Sequence, residues 1–224
     1  MPKITLVCSG HQENGLCNAG ELLKILHDIK PEAAFLEMRP SEFDMFYAHG
    51  SVEAHAVSRY REFKEVQPVP VDGYHASGNH LAEIKRVFDG VIDYVTDASH
   101  EYRQLTEEQF DNVFHLGFPY LNGATFATIA ARLAAIEDEV IKASRNQVLE
   151  SGLRNWRQFI EQRESEMVRN IYSYSRRNEF GTGVLLVGAA HKKAIVEKIE
   201  SVARTESDLI VWELSYEGQV PKRH

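Results

Sequence analysis

The eight residues "GVLLVGAA", Gly183 to Ala190, constrain the fold more than any other stretch of the chain. A near-continuous apolar run suits a strand covered on both faces, the situation of a sheet with helices on either side. The run ends on small residues, and His191 follows at the point where a helical pattern, Lys192 to Ala203, begins. Near the other end of the chain "ITLVCSGHQENGLCNAGELLKIL" does nearly the same. It gives a strand at Ile4 to Cys8, then His11, then a helix whose apolar positions run from Leu22 to Ile29 with Asn18 as candidate N-cap. One sheet therefore takes strands from both ends of the chain, which argues against two independent halves.

The intervening sequence fills in an α/β pattern. Lys30-Pro31 stops the first helix, and "AAFLEM", Ala33 to Met38, reads as a second buried strand with Glu37 at its carboxyl end. Pro40 to Tyr47 and Ser51 to Lys64 have helical character. "EVQPVPVD", Glu65 to Asp72, reads as a third strand that its prolines place at a sheet edge, and it too ends on an acid. A helical region covers about residues 75–150, with breaks expected near His100 to Thr106 and at "GFPYLNG". Leu153, Trp156, Ile160, Met167 and Ile171 then form an apolar helical stripe that Arg163 and Glu164 interrupt. "DLIVWEL", Asp208 to Leu214, is the last strand. The expected architecture is a single α/β domain spanning 1–224, with a mixed central sheet flanked by helices and a helical insertion in the middle.

Composition narrows the partners. A formal net charge of −8 and a pI near 5.7 offer no general attraction to nucleic-acid phosphates or anionic membranes. No window has the apolar length of a membrane span, so the expectation is a cytoplasmic protein with Cys8 and Cys17 reduced. CxxC spacing, a phosphate-binding GxxxxGK[ST] or GxGxxG loop, a GxSxG elbow and an HExxH helix are all missing. What remains as partner is a small-molecule or peptide substrate, with the helical region a candidate lid or homodimer interface.

The expected strand ends hold His11, Glu37, Asp72 and His191, and loops at carboxyl strand ends meet in a crevice where strand order reverses. Imidazole and carboxylate suit a divalent metal such as manganese, cobalt or zinc with a position left open for water, and His11, Glu37 and His191 are the candidate ligands. The same set suits metal-free acid–base chemistry. Taken singly, each also has a plainer use, since a histidine can cap the following helix and an acid can bond loop N–H groups. Arg163 can fix a carboxylate or a substrate anion, with Glu164 beside it, while Glu13 and Asp72 are candidate general bases. His75 and His80 follow Asp72 and stand either over the crevice or on the surface.

These paired junctions resemble the TraB/PrgY superfamily, which groups with Tiki, GumN, ChaN and erythromycin-esterase-like proteins. The likeness is carried by "LVCSGH" with "ELLKILHDIKPEAAFLEM", and by "RESEMVRNI" with "VLLVGAAH". It covers the first 72 residues and Asn155 to Glu200. The second GxxH, Gly188 to His191, is intact; in the first, Cys8 replaces the usual glycine and Gly10 directly precedes His11. The resemblance implies a Tiki/ChaN/erythromycin-esterase-like fold with its site between the two junctions, built on His11, Glu37, His191, Arg163 and Glu164. It implies either a metal-dependent hydrolase of peptide, ester or amide bonds, or a non-catalytic protein that binds haem or an anion.

Overall fold

The computed structural model describes residues 1–48, 50–73, 78–206 and 209–216; His49, His75, Asp208 and His224 lie outside these, as does the side chain of His80. Strands β1 (Lys3–Ser9), β2 (Ala33–Leu36), β3 (Gln67–Pro70), β4 (Thr182–Gly188) and β5 (Val211–Glu213) form one sheet in the order β3-β2-β4-β1-β5. Every pairing among them is parallel, so the mixed sheet expected from the sequence is wholly parallel among the described residues. The apolar run of β4 explains its place: flanked by β1 and β2 and covered above and below, Val184 to Val187 are fully buried. Each such side chain contributes about 1.5–3 kcal/mol relative to exposure. Pro68 and Pro70 put β3 at one edge, where a missing N–H breaks no ladder.

Helix α1 (Ala19–Ile29) starts where Asn18 accepts from the Glu21 amide at 3.0 Å and stops at Lys30, which adopts the left-handed conformation. Ser51 caps α2 (Val52–Arg61) in the same way, and a 3-10 segment, Pro40–Ala48, precedes it. The central region folds as α3 (Gly78–Ala98), α4 (His100–Leu116), α5 (Phe118–Leu121) and α6 (Ala124–Ser144). The break expected near His100 to Thr106 falls at Ser99, between α3 and α4, and His100 to Thr106 themselves are the first turns of α4. The polar run there is the exposed side of α4, whose start Ser99 caps through the Tyr102 amide. The break at "GFPYLNG" is real, with Gly117 at φ 58° between α4 and α5. Among the described residues, no helix is long and apolar enough to cross a membrane.

The long helix α7 (Gln147–Ser175) joins the two parts of the molecule. Its first turns enter a small helical core with Val91, Val95, Tyr102, Ile136 and Ile141 through Leu153. Its last turns place Met167, Val168 and Ile171 in the main core against the sheet. Arg163 and Glu164 lie between these two apolar anchors, which fixes them over the carboxyl ends of the strands. Helix α8 (Lys192–Ala203) follows β4 after one 3-10 turn.

Candidate active site

Strand order reverses at β4, which separates β1 from β2, and the loops leaving these three strands carry His11, Glu37 and His191. This is the crevice position of open parallel sheets. The capping explanation for the histidines fails on both sides. His191 stands at the N-cap position of α8 yet makes no side-chain cap bond, and the cap of α1 is Asn18.

The imidazoles turn instead to carboxylates. His11 Nδ1 lies 2.8 Å from Glu53 Oε1, and His191 Nδ1 lies 2.8 Å from Glu164 Oε1. Their Nε2 atoms converge on the two oxygens of one carboxylate, His191 at 3.1 Å from Glu37 Oε1 and His11 at 3.4 Å from Glu37 Oε2. Glu37 also accepts from Arg163 Nη2 at 2.9 Å and from the Gly188 amide at 2.8 Å. Arg163 reaches Asp72 Oδ2 through Nε at 3.0 Å and Nη2 at 2.8 Å, and its guanidinium sits over the Phe159 ring. Ser9 donates to Glu53 from the end of β1, and Lys198 stands 3.5 Å from Glu164.

Charge explains the protonation states. Glu37, Glu53, Asp72 and Glu164 supply four negative charges, and Arg163 and Lys198 answer two of them. Protonating both histidines balances the set. Burial works against an imidazolium at His11, but Glu37 and Glu53 outweigh it and raise the pKa to about 10. For His191, burial is likewise overcome by Glu164 and Glu37, giving about 9. Burial alone would raise the pKa of the Glu37 carboxyl; the two imidazoles hold it well below the usual carboxylate range. His11 and Ser9 lower that of Glu53 against the same opposing effect of burial.

The backbone is shaped around this arrangement. His11 has φ 58°, a left-handed conformation that costs a non-glycine residue about 1–3 kcal/mol. Its carbonyl accepts from the Val52 amide at 3.0 Å, which anchors the first turn of α2 and brings Glu53 beneath the ring. At Gly188 a Cβ would stand 2.6 Å from His11 Nε2 and 3.5 Å from Glu37 Oε2, so any side chain there would push the His11 ring away from Glu37.

Of the seven sequence candidates, His11, Glu37, Asp72, Arg163, Glu164 and His191 join one network. Glu13 does not: it is exposed at the start of α1, where it accepts from the Ala19 amide at 3.4 Å. Glu53 was missed, although it is a buried acid just inside a Ser51-capped helix. A cavity of about 200 Å³ opens beside Glu37, Asp72 and Arg163, walled by Leu81, Trp156 and Phe159. A larger one, about 590 Å³, lies by Lys3, Thr5 and Thr182 at the opposite end of the sheet from these side chains.

The donor chemistry of His11, Glu37 and His191 is of a kind that divalent metals accept, but the arrangement is that of an ion-paired cluster. Each ring nitrogen faces a carboxylate oxygen, and the described residues contain no group of three or more His, Cys, Asp or Glu poised to hold a metal ion. No protein-family model, no curated protein and no solved structure matches the chain.

Proposed function

We propose that this site is a hydrolytic centre that cleaves an ester, amide or peptide bond by imidazole acid–base chemistry, in a divergent relative of the TraB/PrgY superfamily. One observation carries the proposal. Two imidazoles are each held at Nδ1 by their own carboxylate, and both present Nε2 to the same acid, Glu37. A carboxylate on Nδ1 fixes the tautomer and leaves Nε2 as the working nitrogen, as in serine-protease triads.

The two imidazoles differ in access. The His11 side chain is 45% exposed and that of His191 is 11% exposed, so His11 meets the substrate. In its neutral form, His11 Nε2 takes a proton from a water molecule as the water attacks the carbonyl, while Glu53 stabilises the imidazolium that forms. The same Nε2–H then donates to the departing alkoxide or amine. His191 stays protonated on Glu164 and holds Glu37 in place with Arg163. The superfamily reading draws support from the meeting of Glu37, Arg163 and both motif histidines in one cluster. Metal chemistry at His11, Glu37 and His191 is the competing reading.

Purified protein, with and without chelator, assayed on nitrophenyl esters and peptide anilides separates these. Turnover that survives chelation and disappears in folded His11→Ala supports acid–base hydrolysis. Turnover lost on chelation and restored by manganese, cobalt or zinc supports the metal reading instead. Saturable ligand binding without turnover of any substrate would make the site a binding site.

A further inference from the structure

We propose that Asn122 is a positioning residue for the two histidines: its side chain fixes the end of β1 ahead of His11, and its carbonyl holds the start of α8 behind His191. That role rests on the proposed function in one respect, that both junctions serve one site. β4 pairs with β1 along its whole length, Lys3 to Ser9, but β5 pairs with it only over Lys3 to Thr5. Past Thr5 that edge of β1 has no strand partner among the described residues, although Cys8 is fully buried. A buried backbone group left unpaired is costly. Buried Asn122 supplies what a strand would: its Oδ1 accepts from the Cys8 amide at 2.9 Å and its Nδ2 donates to the Cys8 carbonyl at 3.1 Å. A side-chain amide can do both at once.

Asn122 is itself held from two sides. It closes the short helix α5, where its Nδ2 also donates to the Phe118 carbonyl at 3.0 Å. Carbonyls at a helix end lack intrahelical partners, and that of Asn122 accepts from Lys192 Nζ at 2.5 Å. Lys192 is the first residue of α8 and directly follows His191. A lysine there is placed against the helix dipole, which favours acids in the first turn, and the bond to Asn122 offsets that cost. On the far side of His11, the Leu16 amide donates to the Phe114 carbonyl at 2.8 Å, and Asn14 Nδ2 to the Phe110 carbonyl at 3.1 Å. Helices α4 and α5 thus grip the His11 loop before and after the histidine, and Asn122 also reaches the His191 junction. The helical region is a frame for the site.

Nitrogen-15 NMR of the histidine rings in chelator-treated protein tests this without turnover, so the outcome is separate from whether hydrolysis is observed. Asn122→Asp keeps an acceptor for the Cys8 amide but loses the donor for the Cys8 carbonyl. The end of β1 then carries His11 off Glu37, and the His11 titration midpoint is expected to fall by about one pH unit. A new carboxylate would by itself raise that midpoint, so the direction separates displacement from charge. Lys192→Met leaves every side-chain bond of Asn122 in place, which keeps the test open if Asn122→Asp does not fold. Loss of that tether is expected to lower the His191 midpoint by about half a unit, whereas removing a nearby cation alone would raise it. Where ester turnover is present, the rise of kcat/KM with pH moves down in step with the His11 midpoint in Asn122→Asp. A purely structural Asn122 would lower the melting temperature and leave both midpoints in place. A midpoint unchanged or raised in either folded variant would overturn the proposal.

Discussion

Raising the pH from neutral to about 10 removes a stabilisation that His191 gives the fold. Burial disfavours its charged form, but Glu164 and Glu37 reverse that and move its pKa from 6.5 to about 9. A group whose pKa is higher folded than unfolded stabilises fully below the unfolded value, and the effect is lost as pH rises through the folded value. At 1.36 kcal/mol per pKa unit, the shift corresponds to about 3 kcal/mol, complete below pH 6.5 and gone above about pH 9 to 10. His11 shifts in the same direction, to about 10, but its side chain is nearly half exposed and solvent screening reduces its share. Both rings face Glu37, so they titrate as a pair with two apparent values. The assay is urea unfolding followed by circular dichroism across this range, for the unaltered protein and for His191→Asn. Exposed lysines and tyrosines titrate alike in both and cancel. The stability difference between the two proteins is expected to shrink by about 3 kcal/mol from neutral to alkaline pH. A difference that stays constant would refute the charge balance drawn for the site.

Three further outcomes follow from the geometry. Gly188→Ala places a methyl 2.6 Å from His11 Nε2 and swings the ring off Glu37, and hydrolysis is expected to fall about 100-fold while circular dichroism still reports a folded protein. Glu53→Gln removes the charge that fixes the His11 tautomer, with a loss of about 10³–10⁴-fold in kcat and little change in KM. With His11 at about 10, roughly one molecule in a thousand carries a neutral imidazole at pH 7, so kcat/KM is expected to rise about tenfold per pH unit from neutral pH to about 9. A profile that levels off at pH 6 to 7 would contradict that assignment.

The parts of this site legible in the sequence are those carried by strand ends. A fully apolar strand must lie inside the sheet, so whatever follows it stands over the crevice; that placed His191, and by the same logic His11, Glu37 and Asp72. Arg163 and Glu164 were visible as charged residues in a stripe that otherwise packs inward. Glu53 was not, because its burial depends on a tertiary contact: the His11 carbonyl seizes the Val52 amide and draws the first turn of α2 under the ring. Glu13 stays outside the network for a related reason. Asn14 and Cys17 pair through their backbones and turn the segment between them, and the Leu16 amide bonds to Phe114 on α4, so Glu13 is held at the exposed start of α1. The parallel character of the whole sheet was likewise set by chain connectivity that strand composition alone does not encode.

The central claim is that one carboxylate holds two charged imidazoles, each fixed at Nδ1 by its own acid. Nitrogen-15 NMR of the histidine rings, followed through a pH titration, measures this directly. The account predicts that His11 and His191 are both imidazolium at neutral pH, lose their protons only at alkaline pH, and shift together to lower pKa values in Glu37→Gln. Two neutral rings at neutral pH, titrating independently near 6.5, would contradict it.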